Sequence, residues 1–156
     1  MLKIEIPGFK LLQLEHLVMD YNGTLAYDGF PAQGVREQLN QLAEILQLHV
    51  VTADTFGRVR SQLTGWPCRL ELLGHTGQDV AKKEYVENLG ASGVVAIGNG
   101  RNDRLMMRSA ALGICVLGNE GAAAETLAAA DVVCRSIGET LQLLLNPMRL
   151  VATLRS

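Results

Sequence analysis

The sequence has no C-x-x-C pair. Its three cysteines, Cys68, Cys115 and Cys134, are an odd set, each in or beside an apolar run. Neither a disulfide framework nor a structural zinc site is supported by that count and spacing. Buried free thiols in a reducing compartment are expected. No apolar run approaches the roughly 20 residues of a membrane span, and the start, Met1-Leu2-Lys3-Ile4-Glu5-Ile6, alternates charged with apolar residues instead of forming a signal-peptide core. There is no basic stripe or polybasic tail, and net charge is −2. Nucleic acid and anionic membrane are therefore poor candidates for the main partner. Repeats, low-complexity segments and domain linkers are also missing. A soluble cytoplasmic protein is expected.

Of the 156 residues, 48% are apolar and 19% charged, which suits one domain over 1–156 with a sizeable core. Strands at 3–6 and 11–14 flank Pro7-Gly8 and predict an N-terminal β-hairpin. A buried strand is expected at 15–20, a polar loop at 26–33 and a helix at 35–47, whose apolar face is Val35, Leu39, Leu42, Ala43 and Leu46. Strands are then expected at 48–52, 68–73, 94–97, 113–117 and 131–134. The intervening helices are expected at 55–64, 78–89, 102–110, 121–129 and 137–145, with a tail or short helix at 148–156. Strands alternating with helices predict a parallel α/β sheet with helices on both faces, a Rossmann-like three-layer sandwich. The near-continuous apolar strands agree, because such strands are buried on both sides.

In such a sheet ligands bind beyond the carboxyl ends of the strands. The first buried strand runs Leu17-Val18-Met19 into Asp20-Tyr21-Asn22-Gly23-Thr24-Leu25. Asp20 and Asn22 could merely shape a turn, but the other strand ends are similarly polar. The next gives Thr52, with Asp54 and Thr55 read as caps of the following helix. Lys82 and Lys83 lie near the start of a later helix, and Val94–Ile97 runs into Gly98-Asn99-Gly100-Arg101-Asn102-Asp103. Carboxylates, hydroxyls, amides and a lysine on one sheet edge suit phosphoryl transfer. Magnesium takes hard oxygen ligands, lysine offsets phosphate charge, and an aspartate can form an aspartyl-phosphate.

These motifs resemble those of the haloacid dehalogenase (HAD) superfamily. Asp20–Leu25 is similar to D-x-D-G-T-L, and Thr52 and Lys82 stand where the second and third motifs fall. Gly98–Asp103 is similar to G-D-G-x-N-D. The spacing from Lys82 to Leu89 is similar to the phosphorylation domain of P-type ATPases and their soluble relatives, although nothing here corresponds to a nucleotide-binding insertion or membrane helices. The resemblance implies an Mg2+-dependent phosphohydrolase. Asp20 would be the phosphorylated nucleophile and a metal ligand, and Asn22 would offer its backbone carbonyl to the metal. Thr52 and Lys82 would hold the phosphoryl group, with Gly23, Thr24 and Ala53 beside it. Asn99 and Asp103 would complete the metal site, and Arg101 and Asn102 would face substrate.

Two positions depart from that pattern. Asn22 stands where an acid/base aspartate is usual, and an amide exchanges no proton usefully near pH 7. Asn99 replaces another aspartate and removes a negative charge from the metal site. The alternative is therefore a catalytically impaired phosphate- or metal-binding protein, regulatory in role. Neither interval between motifs has room for a cap domain. The open site implies a small phosphorylated substrate or a phosphoprotein, or else a homo-oligomer that covers it, with the 3–14 hairpin as a candidate contact. His16 and His49 read as packing residues. His75 is the one histidine placed to reach substrate.

Overall fold

The structure is a computed structural model, described over residues 1–53 and 57–156. The expected caps Asp54 and Thr55 lie outside the described residues. Strands β1 (Leu2–Ile6) and β2 (Lys10–Leu14) form an antiparallel hairpin as a sheet of their own. Its alternation puts Ile4, Ile6, Leu12 and Leu14 into the core. Next come β3 (His16–Met19), β4 (Ala26–Tyr27), β5 (Phe30–Pro31), α1 (Val35–Leu42), β6 (Gln47–Thr52), α2 (Arg58–Gln62), β7 (Cys68–Leu72) and α3 (Gln78–Leu89). The chain continues through β8 (Val94–Gly98), α4 (Arg104–Ser109), β9 (Leu112–Val116), α5 (Ala124–Ala129), β10 (Val132–Cys134), α6 (Ile137–Leu145) and α7 (Pro147–Leu154).

The main sheet has six strands in the order β10-β9-β8-β3-β6-β7, every neighbouring pair parallel. Strand β3 is the pivot. The chain winds outward from it through β6 and β7, then returns to its other side for β8, β9 and β10. That reversal is a topological switch point, where open α/β sheets bind ligands. Side chains of β3 alternate between the two layers. Leu17 and Met19 join the larger core with Leu39 of α1 and Leu141 of α6, while Val18 joins a smaller one with Val86 of α3 and Met106 of α4. All three cysteines are free; Cys115 and Cys134 are buried and Cys68 is half-buried.

Three local expectations are corrected. The 26–33 segment is not a plain loop, because β4 and β5 pair antiparallel around Asp28 and Gly29, with φ of 52° and 84°. Asp-Gly with both residues at positive φ is the preferred two-residue hairpin turn, and it is a signal that residue types alone carry. Helix α1 ends at Leu42, not residue 47. Gln47 N donates to Glu15 O at 2.8 Å and draws the chain into β6, so Leu46 is buried through a turn and Ala43 is exposed. The helix expected over 102–110 is split, with a 3-10 turn at Arg101–Asp103 before α4. That turn lets both the Asn99 and Gly100 N–H groups reach one carboxylate oxygen of Asp103, each at 2.9 Å.

Candidate active site

At the switch point the carboxyl ends of β3, β6 and β8 and the first turn of α3 enclose a cleft of about 430 Å³. Asp20, Asn22, Thr52, Ala53, Lys82 and Asn99 line it, together with Gly100, Arg101, Asn102 and Gln78. Asp20 directly follows β3, and its N–H donates to Ile97 O of β8 at 3.0 Å. That extra rung carries strand geometry one residue further and fixes where the carboxylate emerges. Lys82 projects from the inward face of α3, one turn before the core residue Val86. Its Nζ donates to Asp20 Oδ1 and to Asp103 Oδ1, each at 2.7 Å. All three side chains are buried.

Two carboxylates against one ammonium leave the buried cluster net negative once both are ionised. Burial, together with the Asp103 charge, pushes the Asp20 carboxyl up to about 7 although Lys82 pulls the other way. For Lys82, burial opposes the charge, but the two aspartates overcome it and hold the ammonium above its ordinary range. The lysine is therefore a fixed cation.

Thr24 is buried, and its hydroxyl donates to Asn99 Oδ1 at 3.1 Å, with Asp20 Oδ2 at 3.5 Å. Gly23 has φ of 78°, and a Cβ there would collide with the Asn99 side chain and lie 2.5 Å from Glu120 Oε2. Any larger residue would force the Asp20 loop and the Asn99 loop apart. Asn22 is exposed at the mouth. Thr52 is buried at the end of β6. Arg101 is mostly exposed, and its Nε meets Glu125 Oε1 at 3.1 Å. Asn102 Nδ2 donates to Gln78 Oε1 at 2.8 Å and clips the fourth motif to α3. His75 is exposed and does not line the cleft. Sequence reasoning missed Gln78, although it lies four residues before Lys82 and so shares its helix face. It also missed the loop after β9, which carries Glu120.

The donors fit a hard divalent cation. Asp20, Asp103, the Asn99 amide oxygen and the Asn22 carbonyl are all oxygens, and the buried excess of negative charge calls for a counterion. Among the described residues no three Asp, Glu, His or Cys side chains converge as a metal cluster. The site is thus poorer in charge than one with an aspartate at position 99.

No protein-family profile matches the chain. An uncharacterized protein of Methanocaldococcus jannaschii, MJ0073, is 44% identical over 82 residues, covering 50% of this chain and 88% of that protein. The chain belongs to that protein's family. Solved structures supply the fold. The cobalt-bound deoxy-D-mannose-octulosonate 8-phosphate phosphatase of Haemophilus influenzae superposes with a TM-score of 0.73 at 15% identity, over 92% of this chain and 94% of that one. The corresponding Moraxella catarrhalis phosphatase, bound to magnesium, phosphate and its sugar acid, gives 0.66 at 20% identity, over 90% and 93%. The chain has the HAD fold. Between Asn22 and Lys82 the described residues form β4, β5, α1, β6, α2 and β7, with no cap domain. Among the described residues no helix is long and apolar enough to cross a membrane.

Proposed function

We propose that the chain is an Mg2+-dependent phosphohydrolase working through an aspartyl-phosphate on Asp20. The observation that carries this reading is Lys82 Nζ held 2.7 Å from both Asp20 and Asp103 at the switch-point cleft. In the proposed reaction an Asp20 carboxylate oxygen attacks phosphorus, the bond from phosphorus to the leaving oxygen breaks, and water then releases phosphate. Lys82 keeps Asp20 oriented and offsets the incoming phosphoryl charge. Thr52 and the loop from Gly23 to Thr24 bind the remaining phosphoryl oxygens. Mg2+, held by Asp20, Asp103, Asn99 and the Asn22 carbonyl, would supply further positive charge against the phosphoryl group. Asn22 has no proton to exchange, so the leaving group must be a good one or draw its proton from water.

The open mouth suits a small phosphorylated metabolite or a phosphate carried on a larger partner. The free thiols support a cytoplasmic setting, and the Lys82–Leu89 spacing supports kinship with the soluble P-type ATPase-like branch. Asn22 also favours a second reading, a regulatory module that captures phosphate or metal without useful turnover.

The test is hydrolysis of p-nitrophenyl phosphate and of a phosphorylated-metabolite panel with Mg2+, for wild type and Asp20→Ala. Wild-type turnover should exceed the variant's by at least about 10³-fold, and equal rates sink the proposal. Asn22→Asp should raise turnover about 10–100-fold, toward the range that acid–base help supplies. Tight capture of beryllofluoride on Asp20 without turnover on any substrate would favour the regulatory reading.

A further inference from the structure

The aspartate missing at position 99 has a substitute nearby in space. The loop after β9 runs Leu117-Gly118-Asn119-Glu120-Gly121-Ala122-Ala123. It is fastened to Asn99 at two points: Asn99 Nδ2 donates to Gly121 O at 3.0 Å, and Ala123 N donates to Asn99 O at 2.8 Å. The first bond needs an amide, because an ionised aspartate has no proton to give. The fastened loop brings Glu120 over Gly23, where its carboxylate and the Asn99 side chain border the same methyl-sized space. Asn22 and Thr24 flank that space along the chain.

The electrostatics single this carboxylate out. Other acids around the mouth are neutralised: Glu125 by Arg101 and Arg104, and Asp79 by Arg104 at 3.0 Å. Among the described residues Glu120 makes no ion pair or hydrogen bond. Glu120 is exposed, and its carboxylate faces the Gly23–Asn99 edge of the site with no counter-charge of its own, so its charge is free to act on a cation held at that edge. It neither belongs to a three-carboxylate cluster among the described residues nor lines the cleft, so its role would be that of a nearby charge and not of a direct ligand.

We propose that Glu120 is a positioning residue that replaces the charge lost at position 99 and holds the cation on the Asn22–Asn99 side of the site, with the Asn99 amide anchoring its loop. This rests on the metal-dependent reading given above. Asn99 is then a working substitution in which one residue's charge moves to a neighbouring loop. An aspartate at 99 beside Glu120 would release the Gly121 carbonyl and set two like charges over Gly23.

The test is calorimetric titration of the full chain with MgCl2 at low salt, without substrate, for wild type, Asp20→Asn, Glu120→Gln, the exposed control Glu44→Gln, and the double variant Asn99→Asp/Glu120→Gln. Glu120→Gln should weaken Kd about fivefold, the order expected for one nearby charge acting through partly screened solvent. Glu44→Gln should match wild type, and the double variant should return to within about twofold of it. The Glu120→Gln deficit should shrink at 0.5 M KCl, since screening acts on charge and not on loop structure. Wild-type affinity in Glu120→Gln, with binding lost in Asp20→Asn, overturns this inference and leaves the metal-dependent reading standing. A deficit that neither salt nor Asn99→Asp relieves marks a merely structural role and also overturns it. No Mg2+ binding by wild type removes the metal-dependent reading and this inference together.

Discussion

Two polar networks, one buried and one partly buried, meet helix α3 from the same sheet, and they are built on opposite principles. At the strand ends, Asp20, Lys82 and Asp103 form a charged cluster with a net negative charge. Deeper in the sheet, His16 Nδ1 lies 3.1 Å from His49 Nε2, and His49 Nδ1 lies 2.8 Å from the Tyr85 hydroxyl. Burial, His16 and Arg69 push the fully enclosed His49 down to about 4. Lys82 and Tyr85 are three residues apart on α3, so one helix serves both. Burial is more complete in the first, where it leaves an unbalanced charge at the cleft, than in the second, where it leaves a satisfied, partly buried hydrogen-bond relay. Unbalanced buried charge is a sharper pointer to a candidate site than hydrogen-bonded polarity is.

The largest expected effect comes from removing the cation. Lys82→Met leaves two buried carboxylates facing each other and should cost about 3–5 kcal/mol of stability in urea titrations with chelator at pH 8, because a broken buried pair strands its charges. A loss under 1 kcal/mol would show that the cluster is already relaxed by water.

The next contrast is in pH dependence. Asp20 carries a folded pKa of about 7 against an ordinary 3.8, so its contribution is full below about pH 4 and is lost as pH rises through 7. His49 carries about 4 against 6.5, so its contribution is present above 6.5 and is lost as pH falls toward 4. Between pH 4 and 6.5 the two slopes oppose, each on the order of a few kcal/mol. In metal-free buffer Asp20→Asn should therefore steepen the rise of stability with pH over this range, and His49→Gln should reverse it. Parallel profiles in the two variants would erase the distinction between the networks.

The smallest effect should come from Tyr85→Phe, which removes one end of the hydrogen-bond relay. A loss of about 1 kcal/mol in Tm or urea titrations is expected, typical of one hydrogen bond. A loss as large as that of Lys82→Met would mean that the relay too holds charge.

What the sequence reveals divides along physical lines. Asp20, Thr52, Lys82 and Asp103 are legible because each ends an apolar run or sits on a helix face, so local pattern places them on one edge. His16 and His49 are legible as packed residues, but their pairing is not, because it depends on β3 lying beside β6 in a register that puts His49 opposite Val18. Glu120 is illegible for a related reason. Its loop is placed by bonds to Asn99, about 20 residues away in the chain, and by the missing side chain at Gly23. The end of α1 escaped pattern reading because Leu46 keeps helical spacing while the bond from Gln47 to Glu15 overrides it.

The central place of β3 also governs how the molecule assembles. Its partners are late in the chain: His16 lies opposite Gln47 on one side and Val94 on the other. The β1–β2 hairpin, closed at Pro7-Gly8, and the short β4–β5 hairpin pair neighbours in sequence and can form within about 1–10 μs. Non-local parallel pairings of this kind close slowly. During synthesis Leu17, Val18 and Met19 emerge well before β8 and stay unpaired along one edge until β8 has been made. The strand that leads into Asp20 is thus a stretch that needs shelter on the ribosome until β8 has been made.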